Sequence, residues 1–463
     1  MRPVRPLAVA AALVLLAACA VGPNYQRPDF KATPAFKEET GWKPTEPSDA
    51  LEHGPWWVLF NDASLDALEQ KIDISNQNVK AAAAAVDQAR ALVSQARAGF
   101  FPTIGANVGK TRGSTNGGRT ATLDTAGATA SWSLDLWGQT RRTLESDVAS
   151  AQASVAALAL TRLTAQADLA TDYFELRAQD QLQQLLDDTV VAQEKSLKIT
   201  ESRYRYGVAA KADVVSAQAQ LLSSQALQVN AQIQRSILEH AIAVLIGEQP
   251  AAFSLEKAAM RADVPTVPPG LPSTLLERRP DVAQAERKVA AASAQIGVAV
   301  AAYFPSLTLS GSDQYTGPTL SKLFTVPNRV WSVGPSLAGT LFDAGLRHAE
   351  VKQARAVYEA SVDSYRQTVL TGLQQVEDQV VTLRVLEKQA VIEEQAVKAA
   401  REAEALTLNQ YKAGTVPYSS VITAQTTTLS SEQTALTVLS NRLQASVALI
   451  EALGGGWTAT QLR

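Results

Sequence analysis

Twice in this chain an alanine-rich helical stretch runs into an aromatic pair and a proline, after which the hydrophobic period changes from helical to alternating. The first switch is Ala98-Gly99-Phe100-Phe101-Pro102-Thr103-Ile104, and the second is Ala301-Ala302-Tyr303-Phe304-Pro305-Ser306-Leu307. Pro102 and Pro305 lie 203 residues apart, so the chain is read as one unit built twice. Gly207 and Gly414, Ala217 and Ala424, and Gly247 and Gly454 are each 207 apart. The offset grows by four, which places the extra residues in the second hairpin, where a loop absorbs them.

Each proline is followed by a strand pattern with one apolar face. Ile104, Ala106 and Val108 lead out, and Ala126, Ala128, Ala130, Trp132 and Leu134 return, around a polar loop at Gly113 to Gly118. In the second copy Leu307 and Leu309 are answered by Trp331, Val333, Leu337 and Leu341, around Gly317-Pro318. Strands of about ten residues with one apolar and one small, polar face are the unit of a membrane barrel. A half-buried hairpin in a soluble sandwich has the same period. Beyond the N-terminal segment no stretch has the roughly 18 apolar residues of a spanning helix, so a membrane crossing is expected in strands.

Helices fill the rest. Ser64 is the expected N-cap of a helix running to Ala98, and Gln139 to Tyr206 contains neither proline nor glycine. At about 1.5 Å per residue the latter is about 100 Å long. Val148, Ala151, Val155 and Leu158 fall at heptad a/d spacing, as do Val369, Leu373, Val376, Val380 and Leu383 in the second long run, Leu346 to Lys412. Gly207 and Gly414 end these runs, and Ala212 to Ile246 and Ser419 to Leu453 return. The expected organisation is a first repeat at 63–250 with a hairpin at about 102–136, a Pro-rich linker at 251–270, a second repeat at 271–456 with a hairpin at about 305–342, and a tail at 457–463.

Arg2 and Arg5 precede an apolar run, Leu7 to Ala18, too short to span a bilayer, so residues 1–18 read as a secretory signal. Leu16-Ala17-Ala18-Cys19 resembles a bacterial lipobox, and Cys19 is the only cysteine. The expectation is a diacylglycerol and an N-acyl chain such as palmitate on Cys19; the alternatives are a buried thiol or an intermolecular bridge. Ala20, by the lipoprotein sorting rule, implies the outer membrane. Residues 19–62 then form a lipidated arm and an equatorial segment.

Other chemistry is absent from the pattern. Formal net charge is −3 with no basic block, which argues against nucleic acid. His53, His240 and His348 have no ligand spacing, and Met1 and Met260 make no thioether path, so no metal is expected. The Gly-rich tracts lack a phosphate-loop lysine, and no nucleophile–base set stands out; neither an enzyme nor a cofactor beyond the lipid is expected. Four membrane strands cannot close a barrel. Two chains give eight strands around a filled interior; three give twelve and an aqueous path.

Cys19-Ala20-Val21-Gly22-Pro23-Asn24-Tyr25, Trp56-Trp57 with Phe60-Asn61-Asp62, Leu271-Pro272-Ser273 through Arg278-Arg279-Pro280-Asp281, both Phe-Pro switches and Ala452 to Trp457 together resemble the TolC/OprM-type outer-membrane factors, in particular their NodT-like lipoprotein branch. The resemblance covers essentially the whole mature chain. It implies a mostly α fold with membrane β-hairpins: a homotrimer whose twelve-stranded β-barrel continues into a long periplasmic α-helical barrel with an equatorial belt. It also implies the passive exit duct of a tripartite efflux system of the multidrug-resistance kind, lipid-anchored in the outer membrane and reaching into the periplasm. A periplasmic membrane-fusion adaptor would join it to an inner-membrane pump, commonly of the resistance-nodulation-division class. The competing reading, a periplasmic adaptor or coiled-coil scaffold lipoprotein, calls for one helical hairpin flanked by soluble β-domains.

The resemblance also implies site residues. The tips at Tyr204 to Ala209 and Tyr411 to Val416 match the periplasmic mouth, with Tyr204, Gly207, Val208, Gly414 and Thr415 as adaptor-docking positions. Asp213, Tyr411, Ser419, Ser420 and Thr423 match the gate, with a hydrogen bond from Tyr411 to Asp213 as a breakable latch. Alternatively, Tyr411 packs near a helix end and Asp213 faces the dipole of a helix N-terminus. The chain departs from the family pattern where the usual acidic ring falls on Ser420 and Thr423, and an arginine latch on Val416. Weak cation selectivity is expected from that. Phe100, Phe101, Tyr303 and Phe304 are expected at the inner lipid interface or in the packing of the transition zone.

Overall fold

Asn76 divides the stretch expected as one helix. In the computed structural model, which describes residues 20–30, 35–39, 55–114, 120–261, 263–265, 267 and 278–462, α1 spans Ala63–Ser75 and α2 spans Gln77–Ala98. The signal segment, Cys19, loop residues 115–119 and the motif residues 271–277 lie outside the described residues. Asp62, not Ser64, caps α1: its carboxylate accepts from the amides of Ser64 and Leu65. Asn76 accepts from the amides of Asn78 and Val79 and donates to the Leu245 carbonyl at 2.7 Å. The break is therefore held by a cap and by a tertiary bond that no local pattern announces.

The remaining elements are β1 (Thr103–Ser114), β2 (Thr120–Leu134), α3 (Gln139–Arg205), α4 (Lys211–Leu245), α5 (Pro280–Ala301), β3 (Ser306–Gly317), β4 (Arg329–Ala338), α6 (Leu346–Ala413) and α7 (Tyr418–Ala452). The four strands form one antiparallel sheet in the order β1-β2-β3-β4. Its register sets Ile104 opposite Ala130, Val108 opposite Ala126, Trp132 opposite Leu309 and Leu307 opposite Leu337, which gathers the apolar residues of both hairpins on one face. Ile104 and Val108 are 78% and 80% exposed, so among the described residues nothing covers this part of that face, whereas Ala126 toward the tips is buried. Lys110 with Asp124 ends the apolar band toward the first hairpin tip, while Arg329 and Asp313, joined by two hydrogen bonds of 2.8 and 2.7 Å, neutralise each other on the same face level with Val108 and Ala106. From Ile104 to Lys110 the strand rises about 20 Å, close to the height of the apolar belt of a membrane barrel.

Both long helices start the same way. Gly138 (φ 82°) and Gly345 (φ 92°) take the left-handed conformation at the N-cap. Asp135 accepts from the amides of Thr140 and Arg141, and Asp343 from those of Gly345 and Arg347. Trp137 stacks on Phe304 at 4.7 Å and donates to the Pro305 carbonyl at 2.8 Å, tying the β2-to-α3 junction to the second switch. Phe101 and Tyr303 remain exposed there.

In α6 the heptad stripe is buried at Val369, Val376, Val380 and Leu383. In α3 the expected stripe shifts: Val148, Ala151, Val155 and Leu158 are half-buried, whereas Ala149, Ala153 and Ala156 are buried. Ala156 packs with Ala283 of α5, because small side chains let two helices approach closely. The main core lies midway along α3 and joins Trp56, Trp57 and Phe60 to Leu65 and Ile72 of α1, Leu169 and Phe174 of α3 and Leu449 of α7.

The N-terminal arm runs down from the strand-to-helix junction. The Val21 amide donates to the Trp137 carbonyl at 3.0 Å, and Arg142 donates to the carbonyls of Val21 and Gly22 and to Asn24. A Cβ on Gly22 would come within 2.5 Å of the Gly297 Cα, so only glycine seats the arm against α5. Tyr25 donates to Glu286 of α5, and the amides of Lys37 and Glu38 donate to Glu377 of α6.

One buried group works against the fold. Glu69 of α1 has no exposure, and neither carboxyl oxygen has a hydrogen-bond partner among the described residues. Burial first, then Asp73 and Asp66, push its pKa from the ordinary 4.5 up to about 9. The folded state thus holds a proton that the unfolded chain releases, so this contribution to stability falls as pH rises from about 4.5 to about 9. Glu69→Gln is expected to raise the melting temperature at pH 8 and to flatten its decline between pH 5 and 9. Thermal unfolding of both proteins in detergent checks this, and parallel pH profiles would count against it.

Candidate functional site

The far end of the helices is built from two equivalent turns. α3 closes with Gly207 at φ 73° and the Val208 amide donating to the Arg203 carbonyl at 2.9 Å; α6 closes with Gly414 at φ 78° and the Thr415 amide donating to the Gln410 carbonyl at 3.0 Å. These are helix-closing motifs that favour glycine through their positive φ. A Cβ at Gly207 would meet nothing within 4 Å, so backbone conformation alone selects glycine there. Tyr204, Gly207, Val208, Gly414 and Thr415 are all exposed, and Lys211 lies 5.5 Å from the Tyr204 ring centroid.

Behind the tips, side chains from α3, α4, α6 and α7 meet. Tyr411 and Tyr418 are buried in an edge-to-face contact at 5.1 Å, with Ala217 and Val421 beneath them. Arg203 lies 4.9 Å above the Tyr411 ring and donates to the Lys412 carbonyl at 2.6 Å. Arg203 thus ties the end of α3 to the end of α6. The Tyr411 hydroxyl is buried and has no partner among the described residues, so the hydrogen bond expected to Asp213 is not formed within the chain. Asp213 instead sits half-buried in the first turn of α4. Burial, the neighbouring Tyr411 and the Asp213 charge push Tyr418 up to about 12 against the opposing hydrogen bond of Thr200, which keeps the phenol neutral.

Ser419 and Thr423 are exposed and Ser420 is half-buried; Thr423 donates to the Ser419 carbonyl at 3.1 Å. The first turn of α7 carries no acid. Arg203 and Tyr418 are functional candidates that sequence reasoning passed over. A signal existed for each: Tyr418 follows Tyr411 by seven residues across the turn, and Arg203 is the repeat counterpart of Gln410 at the 207-residue offset.

Among the described residues no helix is long and apolar enough to cross a membrane, and no group of three or more His, Cys, Asp or Glu residues could hold a metal ion. A family model for the outer membrane efflux protein matches residues 68–248 and 271–455. The chain is 28% identical to the probable efflux pump outer membrane protein TtgC of Pseudomonas putida, across 97% of this chain and 95% of the relative. It is 30% identical to nodulation protein T of Rhizobium leguminosarum bv. trifolii, across 89% of each. The solved outer-membrane channel OprN aligns with a TM-score of 0.88 at 30% identity, covering 95% of this chain and 100% of that one. With the family model matched in both halves and a channel fold aligned over nearly the full length, the chain belongs to the outer membrane efflux protein family.

Proposed function

We propose that three copies of this chain form the exit duct of a tripartite efflux system, a passive conduit for small molecules from periplasm to exterior. The observation that carries it is the four-stranded sheet, in which β1 and β4 stand at the outer edges and expose their apolar residues among the described residues. The bilayer interior offers no water to unpaired backbone groups, so a membrane sheet must close on itself. Pairing β1 of one copy with β4 of the next closes twelve strands in a trimer. Exposed Leu222, Val229 and Ile233 of α4, and Leu370, Val391 and Ile392 of α6, give neighbouring copies apolar contacts along the helices.

In this arrangement the tips form the periplasmic mouth. The exposed residues Tyr204, Val208 and Thr415 offer the docking surface for a membrane-fusion adaptor, behind which an inner-membrane pump of the resistance-nodulation-division class supplies the energy. Ala20, which follows Cys19 in the sequence, packs against Gly138 at the strand-to-helix junction. That position supports a lipid on Cys19 inserted beside the barrel. The scaffold alternative is not favoured, since it has no use for two hairpins joined in one sheet.

The test is to extract the outer-membrane fraction in detergent and examine its oligomeric state and intact mass. Heat-modifiable trimers carrying acyl mass are expected; a lipid-free monomer would overturn the reading. With Ser420 and Thr423 at the positions where the family resemblance implies an acidic ring, the reversal potential in a KCl gradient is expected near zero, with weak block by trivalent cations. Strong cation preference would contradict that assignment of the mouth.

A further inference from the structure

About 18 Å from the tips, where α3 meets α6 and α7, the packing is polar rather than apolar. Gln193, Ser196, Thr200, Gln425 and Thr428 are all buried there. Most of their capacity is used: Thr200 donates to the Ser196 carbonyl, Thr428 to the carbonyls of Ala400 and Ala424, and Gln425 Nε2 to Ser196 Oγ at 3.2 Å. Two acceptors are left over. Oε1 of Gln193 and Oε1 of Gln425 are buried without a hydrogen-bond partner among the described residues, on side chains only 3% and 6% exposed. Both residues line one recess of about 250 Å³ between the three helices.

We propose that this recess binds an alkylammonium group. Buried acceptors call for a donor, and an ammonium carries three with no acceptor of its own. The charge around the recess agrees: Arg401 is already bonded to Glu432 at 2.6 Å, which leaves Asp188 and Glu404 to favour a cation. Leu185 and Leu429 supply an apolar wall for a methylene stem. Arg401 at the rim, and the lack among the described residues of three clustered metal-ligating side chains, disfavour a bare metal ion. The alkylammonium can come from a free polyamine or from a lysine side chain on a docked partner. Only the second source rests on the duct reading.

Calorimetry on the full-length protein in detergent tests this, with putrescine, N-acetyl-lysine N-methylamide and, as an uncharged control, 1,4-butanediol. Saturable binding of an amine at one site per chain is expected, with none for the diol. Gln193→Leu with Gln425→Leu is expected to weaken amine binding at least tenfold, on the order of the loss of a charge-assisted hydrogen bond. Glu404→Gln, which leaves the buried layer untouched, is expected to weaken it several-fold and covers the case in which the double variant does not fold. Tighter binding of putrescine than of the lysine mimic assigns the site to a free polyamine; the reverse assigns it to a partner's side chain. Absence of saturable heat with either amine, affinities unchanged in the variants, or a high-resolution map with water alone in the recess at saturating amine would overturn the proposal. Amine binding does not require a conducting channel, so this inference and the duct reading fail separately.

Discussion

Replacing Arg279 with alanine is expected to destabilise the folded chain by about 3–5 kcal/mol, the range for removing one partner of a buried ion pair. The Arg279 guanidinium is buried and donates to Asp281 at 3.0 and 2.7 Å, to Gln375 of α6 at 2.8 Å and to the Ala452 carbonyl at the end of α7 at 2.7 Å. Asp281, in the first turn of α5, also accepts from the Val282 amide at 2.8 Å. One side chain therefore closes two helix ends against the middle of a third. Gly372 belongs to the same arrangement, since a Cβ there would lie 3.0 Å from Arg279 Nε. Lysine should restore little, because a single ammonium cannot reproduce a planar fork bonded in three directions. Thermal unfolding in detergent, together with the amount of protein reaching the outer membrane, measures the effect. A melting temperature within a degree or two of the parent would refute this account of the motif.

If the tips form the periplasmic mouth proposed above, Arg203→Ala is expected to shift it toward an open state by about 2 kcal/mol, combining the lost charged hydrogen bond to Lys412 with the lost contact on the Tyr411 ring. That is roughly a 30-fold change in an opening equilibrium. Planar-bilayer recording should show larger or longer openings, and cells should admit bulky antibiotics that the closed mouth excludes. Arg203→Lys keeps a donor and should give an intermediate phenotype. Tyr411→Phe is the discriminating control: its hydroxyl has no partner among the described residues, so its removal should leave the closed state nearly intact. If Tyr411→Phe opened the mouth and Arg203→Ala did not, the latch would be the tyrosine hydroxyl reaching another chain.

Much of the architecture was legible because its signals are periodic or local. The Phe-Pro switches, the alternation after them and the uninterrupted run from Gln139 onward each state a secondary structure within a dozen residues. The 207-residue offset located the two tip glycines, and both adopt the positive φ that makes glycine necessary. The misreadings share a cause. The local pattern points to Ser64 as the cap, but Asp62 is the cap; it points to one helix from there to Ala98, but Asn76 divides it by reaching Leu245, 169 residues away. On α3 the larger residues suggested the seam, yet alanines form it, because the partner α5 approaches too closely for anything bulkier.

The candidate site divides in the same way. Tyr411, Asp213 and the tip residues could be named from the sequence, since they flank turns that announce themselves. Their partnership could not. Which ring Arg203 covers, and that Tyr411 lies against Tyr418 rather than bonding Asp213, depends on how four helix ends meet in space. The sequence by itself determined the repeat, the places where helix gives way to strand, and the turns, because these follow from the period of apolar residues and from proline and glycine geometry. Only the tertiary structure decided which buried polar atoms find a partner among the described residues: each nitrogen of the Arg279 guanidinium does, whereas the Tyr411 hydroxyl, the Glu69 carboxyl oxygens and Oε1 of Gln193 and Gln425 do not, since a hydrogen bond depends on tenths of an ångström between residues far apart in the chain.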